Sequence, residues 1–123
     1  MNLLEGRIAA RDGQWANVEL DGFPGPALPV KLRGREASVD EKVTYGVRPE
    51  HFVEAAAGGP FITATAQVVE QLGSVSYVYA SGNNIAQLTV QQKGHSRVAV
   101  GDAIKVGIDP ETSVLFGTDG RRK

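Results

Sequence analysis

The residue types that could carry out chemistry are few in this chain and lie far apart. Cysteine is absent, which excludes a disulfide framework, a thiolate metal site and a cysteine nucleophile. The two histidines, His51 and His95, have no carboxylate cluster beside them, so neither a hydrolytic triad nor a metal site is expected. The adjacent acids Asp40 and Glu41 are typical of a solvated turn. The sequence therefore predicts no catalytic residue and no metal ligand.

The most specific stretch for binding is Gly46-Val47-Arg48-Pro49-Glu50-His51. Pro49 prevents a strand from continuing past Val47, and Arg48 could then pair with Glu50 or with a loop carboxylate. The same guanidinium could instead hold a partner's carboxylate or carbonyl in a bidentate way. The residues alone leave both interpretations open, a stabilising corner and a docking corner.

Charge and composition narrow the classes of partner. The 13 basic and 14 acidic side chains give a net charge of −1, which does not favour binding to a polyanion. The hydrophobic fraction of 41% is enough for a folded core. Neither an apolar run of membrane-spanning length nor a basic signal peptide is visible, so a soluble intracellular protein is expected. The segment Gly58-Gly59-Pro60 lacks the lysine of a phosphate-binding loop and is interpreted as a linker.

The elements that would position these residues are β-strands. Apolar residues recur with a period of two along most of the chain, in short runs that end at Gly, Pro, Asp or Asn. The only helical candidate, Glu50 to Ala57, is interpreted as at most a turn or two. The fold class is predicted to be all-β. One inward-facing stripe of the second half is expected at Ile62, Ala64, Ala66 and Val68.

An internal repeat of about sixty residues divides the chain. The letters V-D-E-K-V-x-x-G-V-R-P-E from Val39 are matched by V-G-D-A-I-x-x-G-I-D-P-E from Val100. A constant offset of 60 would place Ile8, Val18 and Leu28 on Val68, Val78 and Leu88, and one inserted residue then makes the offset 61.

Each repeat has the strand pattern of a small closed barrel. Five short alternating strands with a perimeter rich in glycine and proline are typical of the oligonucleotide/oligosaccharide-binding (OB) barrel. A unit of about 60 residues buries only about 60% of its unfolded surface, so two tandem barrels should pack together or share strands. Within one domain of residues 1–123, we expect half one at 1–57, a linker at 58–61, half two at 62–119 and a solvated basic tail at 120–123.

Four blocks of the sequence resemble a known family in order and over essentially the whole chain. The family is the C-terminal transport-associated OB (TOBE) domain of sugar-importer ATPases, the maltose and glycerol-3-phosphate uptake type of ABC transporter. The blocks are Met1-Asn2-Leu3-Leu4-Glu5-Gly6, Gly46-Val47-Arg48-Pro49-Glu50-His51, Val68-Val69-Glu70-Gln71-Leu72-Gly73 and Val114-Leu115-Phe116.

The resemblance implies a non-catalytic regulatory and dimerisation domain. ATP and magnesium would bind to an ATPase domain upstream of Met1, so the parent would hydrolyse ATP and this fragment would not. The implied partners are that ATPase domain, a second copy of the subunit, the transporter's membrane subunits and a cytoplasmic regulatory protein. The implied location is cytoplasmic, on the inner face of the cell membrane.

The family's Arg-Pro-Glu-His corner maps onto Arg48, Pro49, Glu50 and His51, which become candidates for partner or dimer contact. This sequence departs from the family in the loop of Lys93, His95 and Arg97, which are secondary candidates because such loops would set partner specificity.

The alternative from another class is a stand-alone OB-fold binding module. Tyr77 and Tyr79 share a strand face and could stack the bases of a single-stranded nucleic acid, although the net charge argues against this ligand. A small oxyanion is the other possible ligand, with Arg48 or Lys93 as the anion contact.

Overall fold

The computed structural model describes residues 1–34, 37–83 and 86–123. These contain ten strands and one 3₁₀ turn, Pro49–His51, so the all-β prediction is confirmed. Among the described residues, no helix has the length or apolar character needed to cross a membrane. The strands are β1 (Asn2–Asp12), β2 (Trp15–Leu20), β3 (Leu28–Lys31), β4 (Lys42–Val47), β5 (Val53–Glu54), β6 (Phe61–Gln71), β7 (Val75–Ser81), β8 (Gln87–Lys93), β9 (Ala103–Gly107) and β10 (Val114–Gly117).

The strands form two curled antiparallel sheets that exchange their last strands. The first sheet has the order β10-β4-β1-β2-β3 and the second has the order β5-β9-β6-β7-β8. Strand β10 comes from the second half of the chain but pairs with β4, where Val114 lies opposite Gly46. Strand β5 comes from the first half but pairs with β9, where Val53 lies opposite Gly107. The expected strand sharing between the two barrels is therefore confirmed.

The repeat is present, but a constant offset of 60 is wrong for the first hairpin of each half. A β-bulge lies between Ile8 and Ala10 in β1 and between Ala66 and Val68 in β6, so Ile8 corresponds to Ala66. The bulge adds one residue and turns the side chains after it to the other face of the sheet. Val68 is accordingly 53% exposed, whereas Ala66 is fully buried, and Val68 does not belong to the inward stripe.

The second strand of the hairpin shifts in the opposite direction. Val18 lies opposite Leu28, and Ala80 lies opposite Leu88, so Val18 corresponds to Ala80 rather than to Val78. Val18 follows Ile8 by ten positions, whereas Ala80 follows Ala66 by fourteen. The longer strand arms and the longer turn of the second hairpin together absorb both shifts. Strands β3 and β8 return to the offset of 60.

The segment Glu50 to Ala57 is not helical beyond a single turn. The 3₁₀ turn ends at His51, and Val53–Glu54 form the short strand β5. A Cβ atom at Gly107 would lie 2.7 Å from the carbonyl oxygen of Glu54. The absence of a side chain at Gly107 therefore lets the exchanged strand approach β9.

The backbone of the basic tail is hydrogen-bonded to the barrel, while the side chains of Arg121 and Arg122 are exposed to solvent as expected. Arg122 forms an antiparallel bridge with Phe116, and the Lys123 N–H donates to the Leu115 carbonyl at 2.7 Å. The Lys123 carbonyl accepts from the Arg33 N–H at 2.8 Å, on the loop after β3. The tail thus covers the gap between β10 and β3, because edge strands offer unpaired backbone groups to any chain that can reach them.

The two halves share one apolar core. The buried apolar side chains form a single cluster drawn from both sheets. The Asn2 side-chain amide donates to the carbonyls of Val47 at 3.1 Å and Thr89 at 2.9 Å. The Asn2 amide oxygen accepts from the Thr89 N–H at 2.8 Å. The start of β1 is thereby tied to the outer edge of β8 in the other sheet.

Candidate functional site

The corner predicted from Arg48 to His51 is a tight turn at the end of β4. Arg48 has extended backbone angles, Pro49 begins the 3₁₀ turn, and the His51 N–H donates to the Arg48 carbonyl at 3.0 Å. The side chains of Arg48 and Glu50 are exposed, while Pro49 and His51 are half-buried. Within the part of the chain that the structure describes, Arg48 and Glu50 do not form an ion pair. The guanidinium therefore remains accessible to a partner.

His51 points its ring inward. Its Nδ1 atom is buried and has no hydrogen-bond partner among the described residues. This buried atom makes the His51 ring part of the packing of the corner.

The loop after β8 is held in one shape by side-chain hydrogen bonds. The buried Ser76 hydroxyl accepts from the Ser96 N–H at 3.1 Å and lies 2.6 Å from the Gln71 amide oxygen. The Gln71 amide nitrogen donates to the Ser96 carbonyl at 3.1 Å. These bonds turn Ser96 inward, so Lys93, His95 and Arg97 all lie exposed on the outside of the loop.

The structure brings part of the corner and all of the loop candidates together. Glu50, Lys93, His95 and Arg97 line one groove of about 550 Å³ between the β5 segment and β8. Arg48, Pro49 and His51 do not line it. The two groups of candidates are far apart in the sequence and meet because the 3₁₀ turn packs against β8.

Two further charged residues, which were not predicted from the sequence, also line the groove. Glu54 lies on the exchanged strand β5, and Lys105 lies on β9. The Lys105 ammonium also sits 4.1 Å from the centroid of the Phe61 ring, a cation–π contact. The alternation of Lys105 with Ile104 and Val106 places it on the outer face, but the sequence does not show which strand lies beside it.

Two titratable groups outside the groove are perturbed. Burial raises the pKa of Tyr45 to about 12, an effect that the neighbouring Ser113 side chain opposes. The hydrogen bond from Lys123 lowers the pKa of Glu41, and the two groups are 2.7 Å apart. A tyrosine that stays protonated and a carboxylate bound to a lysine are suited to structural roles rather than to acid–base catalysis.

Tyr77 and Tyr79 share one strand face, as predicted, and this face is the outer one of the second sheet. The ring centroids of Tyr77 and Tyr79 are 6.4 Å apart at an interplanar angle of 23°. Across the strand, Glu70 lies opposite Tyr77, and Val68 lies opposite Tyr79. A carboxylate beside an aromatic platform disfavours a phosphate backbone.

No metal centre can be assembled from the residues in 1–34, 37–83 and 86–123. Among them, no three histidine, cysteine, aspartate or glutamate side chains converge as ligands of an ion would.

Comparison with curated proteins relates the chain to transport ATP-binding proteins. It is 40% identical over 116 residues to the lactose transport ATP-binding protein LacK of Rhizobium radiobacter, covering 94% of this chain and 32% of the relative. It is 35% identical over 98 residues to the maltose/maltodextrin import ATP-binding protein MalK of Photobacterium profundum, covering 79% of this chain and 27% of the relative. The chain thus spans about a third of the length of these relatives.

A solved structure shares the fold. The cytoplasmic molybdate-binding protein ModG, in a form with molybdate bound, superimposes with a TM-score of 0.73 over 93% of this chain and 94% of its own, at 14% identity. A model of the TOBE domain family matches residues 45–116, more than half of the chain, including the end of β4, the corner, the groove and β10. With its paired sheets and shared strands, the chain belongs to the TOBE domain family.

Proposed function

We propose that the chain is the non-catalytic regulatory and dimerisation domain of the ATP-binding subunit of a carbohydrate ABC importer. The observation that carries this proposal is the alignment with LacK, which takes in nearly all of this chain and only about a third of the relative. The remaining two thirds of such a subunit would bind ATP and magnesium and hydrolyse the nucleotide. The subunit would work on the cytoplasmic face of the membrane, against the transporter's membrane subunits.

The architecture supports a role as a rigid pivot for moving ATPase domains. Each sheet receives a strand from the other half, and the two halves share one apolar core. Relative motion of the barrels would require breaking both exchanged strand pairs. A body without an internal hinge can stay in contact with a second copy while the attached ATPase domains open and close.

The exposed corner is the proposed contact with a second copy or with a cytoplasmic regulatory protein. Arg48 and Glu50 present opposite charges on the same turn. In a two-fold contact each surface meets its own copy, so Arg48 of one chain can face Glu50 of the other.

Charge reversal tests this contact. We expect Arg48→Glu or Glu50→Arg to weaken self-association of the full-length subunit in sedimentation and to change its ATP hydrolysis rate, while the double variant restores both. Lys42→Glu, on an exposed side chain at the other end of β4, is the matched control and should change neither. Unchanged association and hydrolysis in both single variants would refute the corner as the contact.

A second candidate, oxyanion binding, is favoured by the fold shared with ModG, whose structure contains molybdate. In this chain Lys93 and Arg97, which form no ion pair with the described residues, would be the anion contacts. Titration calorimetry of the chain with molybdate and with sulfate tests this function. Heat that saturates with molybdate and is lost in Lys93→Ala supports it, and the absence of heat removes it.

A further inference from the structure

The gap between the edge strands of a barrel is covered in one half of this protein by its own tail. In the first sheet, the last residues run along β10 and end on the loop after β3. The Lys123 N–H donates to Leu115 O at 2.7 Å, and the Arg33 N–H donates to Lys123 O at 2.8 Å. We call this gap, between β10 and β3, the covered seam.

The corresponding gap of the second sheet is the groove described above, between β5 and β8, which we call the open seam. The exchanged pairs Val114–Gly46 and Val53–Gly107 show that β10 corresponds to β5. By the repeat, Glu54 corresponds to Leu115, and Lys93 corresponds to Arg33. Glu54 and Lys93 both line the open seam. The chain after β5 turns away at residues 56–59 into β6, so no segment comparable to the tail covers this seam among the described residues.

The open seam offers backbone groups for pairing. The Thr89 N–H and carbonyl bond to Asn2, so they point away from β7. Backbone groups alternate along a strand, so Gln91 and Lys93 direct theirs to the same side, toward the seam. By the same alternation the Gly94 N–H faces the β7 side, where it donates to the Ser74 carbonyl at 2.8 Å. Strand β8 ends at Lys93, so an extended segment could pair with it as far as that residue.

The charges beside β8 select the segment. Lys93, His95 and Arg97 line the seam on the β8 side and form no ion pair among the described residues. Two carboxylates also line the groove: Glu50 lies on the 3₁₀ turn that packs against β8, and Glu54 lies on β5. The cations Lys93, Arg97 and Lys105 outnumber them, and a strand added to β8 would place its side chains next to Lys93 and Arg97, which favours acidic residues.

We propose that the open seam accepts an extended acidic peptide segment of a partner protein, which pairs with β8 as an added strand. Pairing with a sheet edge supplies affinity through the main chain, and flanking side-chain pockets supply specificity. The basic tail of a second copy, Arg121-Arg122-Lys123, would bring like charges to the loop and is disfavoured. The inference goes beyond the proposed function, since it needs neither a second copy nor an ATPase domain.

A peptide titration followed by NMR tests the proposal on the ¹⁵N-labelled chain. The probe is an end-blocked peptide of alternating valine and glutamate, with a valine–lysine peptide and an N-methylated valine–glutamate peptide as matched controls. We expect the acidic peptide to shift the amides of Gln91, Lys93 and Glu54 and to slow hydrogen exchange at Gln91 and Lys93. The N-methylated peptide cannot donate to the strand and should bind roughly tenfold or more weakly, as should the lysine peptide.

Variants of the chain separate charge from fold. The double variant Lys93→Glu/Arg97→Glu should reverse the preference toward the lysine peptide, while Lys42→Glu should leave it unchanged. All three substitutions are on exposed side chains, and an unchanged amide spectrum elsewhere shows that the fold is intact. Equal binding of the three peptides, shifts outside the open seam, or no saturable binding would overturn the proposal. Stronger binding of an oligothymidine than of the acidic peptide would overturn it in favour of nucleic acid.

Discussion

Replacing Leu115 by alanine tests whether the exchanged strands join the two sheets into one cooperative unit. Leu115 belongs to β10, is 1% exposed and lies opposite Tyr45 of the first sheet. A buried Leu→Ala change costs about 2–5 kcal/mol. At roughly 2.1 cal/mol/K of unfolding entropy per residue, a chain of 123 residues loses about 4 °C of Tm per kcal/mol. We therefore expect Tm to fall by about 8–20 °C.

Two probes in one thermal melt report on the two sheets separately. Trp15 is the sole tryptophan of the sequence and lies on β2, so its fluorescence follows the first sheet. NMR amide signals of β7 and β8 follow the second sheet. Because β10 joins the first sheet to the end of the chain and β5 joins the second sheet to the first half, both probes should shift to the same lower Tm.

The control is Val114→Ala, on the same strand with its side chain on the outer, half-buried face. It removes less buried apolar surface and should lower Tm by no more than about 4 °C. If the Trp15 transition moves while the β7 and β8 signals do not, the sheets unfold independently and the coupling by strand exchange is refuted. If Val114→Ala costs as much as Leu115→Ala, the inward face of β10 is misassigned.

Other substitutions test single contacts by Tm. Gly107→Ala should lower the free energy of unfolding by about 1–3 kcal/mol, because the added Cβ would meet the backbone of β5. Gly46→Ala should lower it less, because the added Cβ would meet side chains that can move. A larger loss for Gly46→Ala than for Gly107→Ala would contradict the close approach of β5 to β9. Asn2→Ala should lower Tm by about 4–12 °C, because it leaves backbone groups of both sheets without hydrogen-bond partners. An unchanged Tm would show that the Asn2 hydrogen bonds do not hold the two sheets together. The folded pKa of Tyr45 is raised to about 12, so its contribution to stability is complete below pH 10 and is lost as pH rises from 10 towards 12. Tyr45→Phe should remove this alkaline loss of Tm. A Tm that falls with rising pH as steeply in the variant as in the parent would contradict the reasoning. The folded pKa of Glu41 is lowered from 4.5, so its contribution to stability is present above pH 4.5 and is lost as pH falls through the lowered pKa. Glu41→Gln should therefore lower Tm at pH 7 and have the same Tm as the parent in strong acid. Equal Tm values at pH 7 would count against the Glu41–Lys123 contact.

The inward and outward faces of most strands could be predicted from alternation. Ile62 and Ala64, predicted to face the interior, are 2% and 5% exposed. Alternation is local, because successive side chains of a strand point to opposite faces wherever the strand lies. The bulge in β6 makes the prediction from alternation fail at Val68, because one extra residue turns this side chain to the outer face. The composition of the strand does not indicate where such a bulge occurs.

The candidate site was predicted only in part for a similar reason. The sequence singles out Glu50 and the loop from Lys93 to Arg97 as separate segments, and only the packing of the 3₁₀ turn against β8 makes them walls of one groove. Glu54 and Lys105 look like ordinary strand residues until the sheet order is known.

The sequence by itself determined most of the strands and turns and the existence of the twofold repeat, because these follow from the pleat of an extended chain and from the backbone preferences of glycine and proline. Only the tertiary structure decided which edges pair. Backbone groups make the β5–β9 and β10–β4 pairings and hold the tail on β10. Every residue except proline carries the same backbone donor and acceptor, so the side chains do not indicate which strands will pair. The same property leaves β8 with an edge open to another chain.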